Sequence, residues 1–398
     1  EIPDAKRRFN VAEHLVHTTK KNPARFDFDL RFPKMPSYLR RAAIQHALGS
    51  VSSYETRMEL WEKSGEKAGK PRLAYENHAM PVFYRDVMYR EEKEGKDEAY
   101  LKLYDGHDWK WFRAGLLHTD MEYLRRHWSG KKSSAPVLEK RHQKYFLRFS
   151  YTEEVTLSKT PVKDQLICSV DLGINTDAVC SIMRSDGTVL DRKFINFPSE
   201  KDRLSHVLGR IRRFQKEHGS KQIGSRWAYA KRLNTELARK TARSIAEYAH
   251  ENHADVIVFE YLEMKGKISG KKRQKLHLWK KREIQTMCEH KAHRYGIRVS
   301  RVCAWNTSRL AYDGSGPVSR DPKNHSLCVF QSGKQYNCDL SASYNIGARY
   351  WIREIIKTLP ETERSSLEAK VPAVKRRTSC VYADLLILQN EYGCSKAA

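Results

Sequence analysis

Leu166-Ile167-Cys168-Ser169-Val170-Asp171-Leu172-Gly173 is the stretch that decides the fold. A short apolar run of this kind is typical of a buried central strand. Residues 181–184 and 189–194 follow as strands on either side of Asp186-Gly187, a strong hairpin signal. A second apolar run at 255–260 predicts a fourth strand, and it again ends in an acid.

The remaining elements of this region are helical. A long basic stretch precedes the fourth strand and carries an apolar stripe from Leu233 to Tyr248. Another helix is predicted to begin at Asp339-Leu340-Ser341. The order of three strands, helix, strand and helix predicts an α/β domain with a mixed sheet that helices cover.

The residues upstream form a separate region. The spacing of apolar residues predicts a helix that begins after Pro36, with Ser37 as its N-cap. Residues 99–104 and 109–112 flank Asp105-Gly106 and predict a hairpin. This β-rich part also contains a predicted helix near 119–128. Taken over all its regions, the chain is predicted to be an α/β protein with an α+β multidomain arrangement.

Charge restricts the function classes. The 398 residues include 74 Lys and Arg against 48 Asp and Glu, a formal net charge of +26 that is spread along the chain. This excess favours a polyanionic partner, most commonly nucleic acid. The alternative from composition is an ordinary soluble basic enzyme.

Neither a membrane span nor a signal peptide is indicated by the sequence, and the eight scattered cysteines suit reduced thiols. The expected location is therefore cytoplasmic, with no membrane partner. The chain begins at Glu1 without a Met, which leaves open whether natural residues precede it.

Three acids lie at the ends of predicted elements: Asp171, Glu260 and Asp339. Adjacent strands could bring the first two together, and the helix could bring the third. Converging carboxylates require cations, and hard ions such as Mg²⁺ prefer oxygen ligands. The alternative is that Asp171 and Asp339 are turn or cap residues and Glu260 is a solvated strand end.

Three blocks of sequence make a resemblance visible: 169–175, 258–262 and 339–347, together with Asn306-Thr307-Ser308. They resemble the RuvC-type nuclease domain of TnpB proteins, the transposon-encoded RNA-guided endonucleases related to compact type V CRISPR effectors. Residues from about 160 to 357 carry the resemblance well, and the N-terminal part matches only in outline.

The resemblance implies an RNase H-like fold in which Asp171, Glu260 and Asp339 hold a pair of Mg²⁺ ions for DNA cleavage. It also implies a guide RNA and a target DNA as partners. The implied domains are a helical recognition lobe at 1–72, a β-rich wedge domain at 73–160, the RuvC-like nuclease domain in two parts at 161–302 and 339–398 (the second with a C-terminal tail), and a degenerate zinc-ribbon-like insertion for target nucleic acid at 303–338.

The sequence departs from the family in its zinc ribbon. Ala311 and Gly314 occupy the places of the first Cys-x-x-Cys pair, and Ser332 occupies one place of the second. A rearranged zinc site would have to use Cys303, His325, Cys328 and Cys338. The alternative, which we favour, is a zinc-free loop held by packing.

The basic stretch at 265–282 lies soon after Glu260 and has no acid among its residues. We expect it to bind the nucleic-acid backbone, although a solvated helix face is the usual role of such a run. Its candidate contact residues are Lys265, Lys267, Lys271, Lys272, Arg273, Lys275 and Arg282. Trp227, Trp279 and Trp305 could stack on bases, while core packing is the ordinary role of each.

Two other functions remain open at this stage. One is an RNA-guided DNA-binding protein that does not cleave, resembling a transcriptional repressor. The other is a nucleic-acid-binding protein that needs no guide.

Overall fold

The protein is described by a computed structural model that covers residues 4–66, 69–73, 82–91, 96–141, 143–219, 223–261, 278–321, 324, 326–375 and 378–397. Helices account for 48% and strands for 21%, which confirms the mixed α/β class. Contacts divide the chain into two units, Glu1–Glu154 and Val155–Ala398. In these ranges no helix combines the length and the apolar character that crossing a membrane requires.

The first unit begins with helices and continues with short strands. Its helices are α1 (Ala5–Val16), α2 (Phe28–Arg31), α3 (Ser37–Lys63) and α4 (His118–Trp128). Its strands are β1 (Tyr89–Glu91), β2 (Glu98–Tyr104), β3 (Trp109–Gly115), β4 (Lys132–Ser133), β5 (Val137–Arg141), β6 (Lys144–Arg148) and β7 (Tyr151–Thr152).

Strands β1, β2 and β3 form an antiparallel sheet, and β2 pairs with β3 as the predicted hairpin. A small core that includes Phe83, Met88 and Tyr89 lies against this sheet. The helix predicted after Pro36 is present as α3. Its N-cap is Pro36 without a side-chain hydrogen bond, so the prediction of Ser37 as the cap is wrong by one residue.

The second unit contains the central sheet. Its strands are β8 (Ile167–Asp171), β9 (Ala178–Met183), β10 (Val189–Ile195), β11 (Val256–Tyr261), β12 (Arg298–Cys303), β13 (Ser319–Arg320), β14 (Leu327–Val329) and β15 (Gln335–Asn337). Its helices are α5 (Pro198–His218), α6 (Gly224–Glu251), α7 (Lys281–Arg294), α8 (Cys338–Thr358), α9 (Glu361–Lys370) and α10 (Tyr382–Ala397).

The central sheet has the strand order β10-β9-β8-β11-β12. Strands β10, β9 and β8 are antiparallel neighbours, whereas β8, β11 and β12 run parallel. This mixed topology is that of the RNase H-like fold that the resemblance implies. Strand β8 therefore lies at the centre of the sheet, as its apolar sequence predicts.

Alternate residues of the central strands face different helices. Cys168 and Val170 on β8 pack with Ile257 and Phe259 on β11 against α6 and α7. The other, alternating residues of the two strands point to the second face, where Ile167, Val256 and Val258 pack with residues of α8, α9 and α10. The sheet is thus covered on both faces, and any side chain on the second face points towards α8.

Helix α8 packs very closely on this second face. A Cβ atom at Gly347 would lie 2.4 Å from Met183 Sδ and 3.2 Å from Ser169 Oγ. One turn earlier, the hydroxyl groups of Ser181 and Ser343 are 2.6 Å apart. Glycine and serine therefore allow the helix backbone to approach β8 and β9.

Some elements were not predicted. Strand β12 contains Arg298, Ser300 and Arg301 on a sheet edge, so it has no apolar run to reveal it. The stretch between Cys303 and Cys338, expected to be a loop, contains the small antiparallel sheet β13-β14-β15. The expected C-terminal tail forms α9 and α10, which contribute Leu367 and Leu385 to the core.

The close approach of α8 gives a first prediction. Gly347→Ala should lower the free energy of unfolding by about 1–3 kcal/mol, because the added methyl overpacks the interface. Gly209 is the matched control, since it lies within α5 and has nothing within 4 Å of an added Cβ. Gly209→Ala should stabilise the protein by about 0.5–1 kcal/mol through helix propensity. Thermal unfolding of both variants would show equal shifts if the helix were not tightly packed.

Candidate active site

Asp171 and Glu260 lie beside each other at the ends of adjacent parallel strands. The register places Val170 opposite Phe259, so Asp171 and Glu260 are the next pair along β8 and β11. Parallel neighbours are about 4.8 Å apart. Both acids share the side-chain parity of the residues that face α8, and their exposed fractions are only 8% and 7%. Glu260 is therefore not a solvated strand end.

Asp339 comes to the same place from α8. The helix begins at Cys338, and its N-cap is Asn337, whose side chain accepts a hydrogen bond of 2.9 Å from the Leu340 backbone N–H. Asp339 is thus in the first turn and is not the capping residue. Its side chain is left available to face the ends of β8 and β11.

The loop after β8 contributes a hydroxyl group to Asp339. Thr176 forms a side-chain hydrogen bond with Asp339, which lowers the pKa of that carboxyl against the larger raising effect of burial. The loop can turn so tightly only with glycine at 173, since a Cβ there would lie 2.5 Å from the Thr176 carbonyl oxygen. Gly173 therefore positions Thr176 beside Asp339.

The three acids influence one another electrostatically. Burial raises the pKa of Asp171 well above its ordinary value, and the charges of Glu260 and Asp339 raise it further. Burial also raises the pKa of Glu260 and that of Asp339. Desolvation and like-charge repulsion both disfavour the ionised carboxylates, so the group needs positive charge when all three are ionised.

The nearest cations do not neutralise the acids by direct contact. In the ranges that the structure describes, no Lys or Arg forms an ion pair with the three carboxylates. Arg320 lowers the pKa of Asp171 and Asp339 from a distance, and its Nη2 donates to the Ser308 carbonyl at 3.1 Å. Arg349, which acts on Glu260, donates instead to two backbone carbonyls.

The donor set suits a hard divalent cation. Three carboxylates on two strands and a helix offer oxygen atoms alone, the ligands that Mg²⁺ prefers. Among the described residues, no three His, Cys, Asp or Glu side chains already form a group that could hold a metal ion. The three acids are therefore neighbours of a residue type that suits Mg²⁺, but their carboxylate groups do not converge on one point as metal ligands do.

Thr307 forms a hydrogen bond with one of these acids, and it was not predicted as a site residue from the sequence. Its Oγ1 donates a hydrogen bond to Glu260 Oε1, which lowers the pKa of Glu260. Asn345 of α8 donates to the Thr307 carbonyl at 3.0 Å, and Gln285 of α7 donates to the Glu260 carbonyl at 2.8 Å. The block Asn306-Thr307-Ser308 could have revealed Thr307, although no role followed from the sequence.

The cysteines of the small sheet do not form a complete zinc site among the described residues. Cys328 and Cys338 interact through their thiols and pack in an apolar cluster with Ala311 and Phe330. Burial raises the pKa of Cys328 to about 12, which disfavours the thiolate that zinc needs. Cys303 is exposed at the end of β12. His325 lies outside the described residues, so zinc binding stays a prediction.

Most of the predicted basic contact residues also lie outside the described ranges: Lys265, Lys267, Lys271, Lys272, Arg273 and Lys275. Arg282 is exposed on α7. Lys281 beside it is buried, and its Nζ lies 5.2 Å from the centre of the Trp279 ring. Burial lowers the pKa of Lys281, whereas the charge of Glu260 raises it, so this lysine is near the acids.

Family models match two parts of the chain. Residues 282–346 match the Cas12f1-like TNB domain family, and residues 2–105 match the Aq_aa04 family. The first match extends from α7 to the middle of α8 and contains Thr307, Arg320 and Asp339. It confirms the resemblance to compact type V effectors over that stretch. No curated protein matches the chain in sequence.

Solved structures similar to the chain come from the same group of effectors. One is a Cas12f1–sgRNA–target DNA complex, with 17% identity, 74% of this chain and 76% of that chain covered, and a TM-score of 0.36. A CRISPR-Cas12f ternary complex has 17% identity, coverages of 85% and 72%, and a TM-score of 0.37. The mini-RNA-guided endonuclease CRISPR-Cas_phi3 has 15% identity, coverages of 63% and 57%, and a TM-score of 0.42.

The raised pKa of Asp171 predicts that the stability of the protein depends on pH. Because folding raises the pKa of Asp171, the folded state binds its proton more tightly than the unfolded state does. This contribution therefore lowers the free energy of unfolding as pH rises from the ordinary value of 3.8 through the raised one. Asp171→Asn should thus unfold at a higher temperature than the wild type at pH 7.5 without divalent ions, by about 2 °C or more. The difference should shrink towards pH 4.

Adding Mg²⁺ or Mn²⁺ should raise the unfolding temperature of the wild type and should raise that of Asp171→Asn much less. Asp384→Asn is the control, because Asp384 is a partly buried acid whose pKa is also raised by burial but which accepts a hydrogen bond from the Val381 backbone N–H at 2.8 Å. Equal responses of all three proteins to Mn²⁺ would show that Asp171 is not a ligand.

Proposed function

We propose that the protein is an RNA-guided DNA endonuclease that hydrolyses phosphodiester bonds at Asp171, Glu260 and Asp339. One observation carries the proposal: Asp171 and Glu260, buried at the ends of β8 and β11, lie with the partly buried Asp339 of α8 on one face of an RNase H-like sheet, and no described Lys or Arg forms an ion pair with them. A purely structural acid in such a place would be expected to have an ion pair or to be fully hydrogen-bonded.

The match of residues 282–346 to the Cas12f1-like TNB domain family supports the choice of reaction. It connects the stretch containing Asp339 to Cas12f1-like proteins, and one Cas12f1 structure is a complex with an sgRNA and target DNA. The net charge of +26 supports the same partners, because a protein that holds two nucleic-acid backbones needs positive charge over a wide surface. Association with a transposon is part of the proposal and follows from the resemblance to TnpB.

The three acids would hold a pair of Mg²⁺ ions. When bound, these ions would activate water and stabilise the charge that develops on the phosphate oxygens. The residues of the chain would fix the carboxylates in place. Thr307 would keep Glu260 Oε1 in one orientation, and Thr176 would do the same for Asp339.

Arg320 would be the cation closest to the phosphate. Its charge acts on both Asp171 and Asp339, and its hydrogen bond to the Ser308 carbonyl holds the guanidinium near them. An arginine tied in this way can meet a phosphate without first moving away from a carboxylate. The small sheet that carries Arg320 would therefore take part in binding the substrate strand.

Cleavage by isosteric variants tests the proposal. The protein is purified with its co-purifying RNA, that RNA is sequenced, and matched DNA is incubated with Mg²⁺. Asp171→Asn, Glu260→Gln and Asp339→Asn should each lower the cleavage rate at least about 100-fold, because each removes a ligand worth several kcal/mol in the transition state. Asp384→Asn should cut at a rate close to that of the wild type.

Cleavage by Asp171→Asn at the wild-type rate would contradict the assignment of the acids to the reaction. Tight binding of matched DNA without cutting in Mg²⁺ or Mn²⁺ would instead favour an RNA-guided DNA-binding protein. Equal affinity for matched and unmatched DNA would show that no guide is used.

The hydrogen bond from Thr307 predicts a change in pH dependence. Thr307→Val keeps the shape of the side chain but removes the donor, so the pKa of Glu260 should rise further. Because metal ligation needs the ionised carboxylate, the acidic limb of the rate–pH profile should move to higher pH. Thr307→Ser retains the hydroxyl and should keep the wild-type profile. A profile that is unchanged in Thr307→Val would show that the hydrogen bond does not tune Glu260.

A further inference from the structure

A cavity lies on the face of the sheet opposite to the one that the acids share. It has a volume of about 400 Å³ and is bounded by the loop after β8, by α5 and α6, and by residues 278–280 with the start of α7. The proposed cleavage reaction makes no use of it. Cavities of this size commonly hold a ligand of a few tens of atoms or fewer.

The walls of the cavity suit a flat aromatic ring. Leu208 of α5, Leu237 of α6 and Ile284 of α7 supply aliphatic surface, and Trp279 supplies an indole ring. The Trp279 Nε1–H is buried, and no described residue accepts a hydrogen bond from it. A buried donor without an acceptor is costly, so a ligand with a ring nitrogen or carbonyl group would complete the site.

The cavity has a polar entrance. Asn175 is exposed there, and Lys201 donates to the Asn175 carbonyl at 2.5 Å and lies 2.9 Å from Asp177 Oδ2. These contacts hold the loop in a fixed position. An apolar interior with a polar rim favours a group that has an aromatic base at one end and a charged backbone at the other.

The cavity is within reach of a nucleotide bound at the acids. Gly173, the first residue of the loop to line it, is two residues from Asp171, at most about 7 Å along the chain. On the other side, Lys281 lies over the Trp279 ring and acts electrostatically on Glu260. Lys281 therefore contacts one wall residue of the cavity and lies near Glu260.

We propose that this cavity receives a nucleobase, turned out of the stack, from the DNA strand whose phosphate lies at Asp171, Glu260 and Asp339. The inference rests on the proposed function and adds a base-binding site to it. Turning out one base would fix the register of the strand at the acids, and it would be easiest for unpaired DNA. Stacking against Trp279 would tolerate different bases, in agreement with sequence choice by a guide.

Fluorescence of 2-aminopurine tests the binding of a base directly. Single-stranded DNA complementary to the co-purifying RNA, with 2-aminopurine at one position at a time, is mixed with the RNA-bound Asp171→Asn protein, so that the strand stays uncut. One position close to the cleavage site should show a change in fluorescence that its neighbours lack. Cleavage of the same strands by the wild type is measured in parallel.

Two variants alter the cavity in different ways. Leu208→Trp fills it, and Trp279→Leu removes the aromatic wall; each should abolish the position-specific signal and slow cleavage about tenfold. His206→Trp places the same side chain at an exposed position of α5 outside the cavity, and it should retain both signal and rate. Thermal unfolding of each variant confirms that it is folded.

A position-specific signal that both cavity variants lose and His206→Trp keeps would establish the base site. The absence of such a signal, together with wild-type cleavage by folded Leu208→Trp, would overturn the base site and leave the endonuclease proposal intact. A wild type that does not cut would overturn the endonuclease proposal, while the fluorescence of the uncut strand would still decide whether a base enters the cavity.

Discussion

The contact between α8 and the centre of the sheet is the constraint on which the site depends. Gly347 permits the helix to lie against Met183 and Ser169, and the Ser181–Ser343 hydrogen bond fixes it one turn earlier. Because an α-helix rises by a fixed 1.5 Å per residue, the contact at Gly347 and Ser343 also determines the position of the first turn of α8. Asp339 reaches the ends of β8 and β11 only because the helix is anchored farther along its length. The geometry of the proposed site is thus set by packing among small residues that are remote from the acids.

The electrostatic state of the acids follows from what the surrounding cations do. A net charge of +26 does not neutralise two buried carboxylates and a partly buried one, because exposed charges more than about 10 Å away are largely screened by salt. The two arginines that act on the acids donate to backbone carbonyls instead. Among the described residues, the acids are therefore left without a basic partner in direct contact, while the net positive charge remains available for long-range attraction of a polyanion. This separation is what a site for divalent ions requires.

The central strands and the positions of the three acids could be predicted because burial on both faces leaves an unmistakable apolar run, as in 166–173 and 255–260. Strand β12 and the small sheet could not be predicted, because an edge strand with arginines and strands of two or three residues have no clear periodicity. Thr307 could not be given a role, since its value lies in a contact with Glu260, 47 residues away. Local sequence patterns predict helices and strands, whereas contacts between side chains distant in sequence can be identified only from the three-dimensional structure.

The interior of the small sheet is held together by packing among its own side chains. Ala311, Cys328, Phe330 and Cys338 form its interior, where the family resemblance leads one to expect zinc ligands. Ser332 Oγ donates to Asp313 Oδ2 at 2.7 Å, and this hydrogen bond joins two turns of the segment. Tyr312 extends the cluster to α8 through its edge-on contact with Tyr344, at 5.3 Å between ring centres. The aromatic contacts thereby tie the segment bearing Arg320 and Thr307 to the same helix that carries Asp339, so the position of all three depends on one hydrophobic cluster.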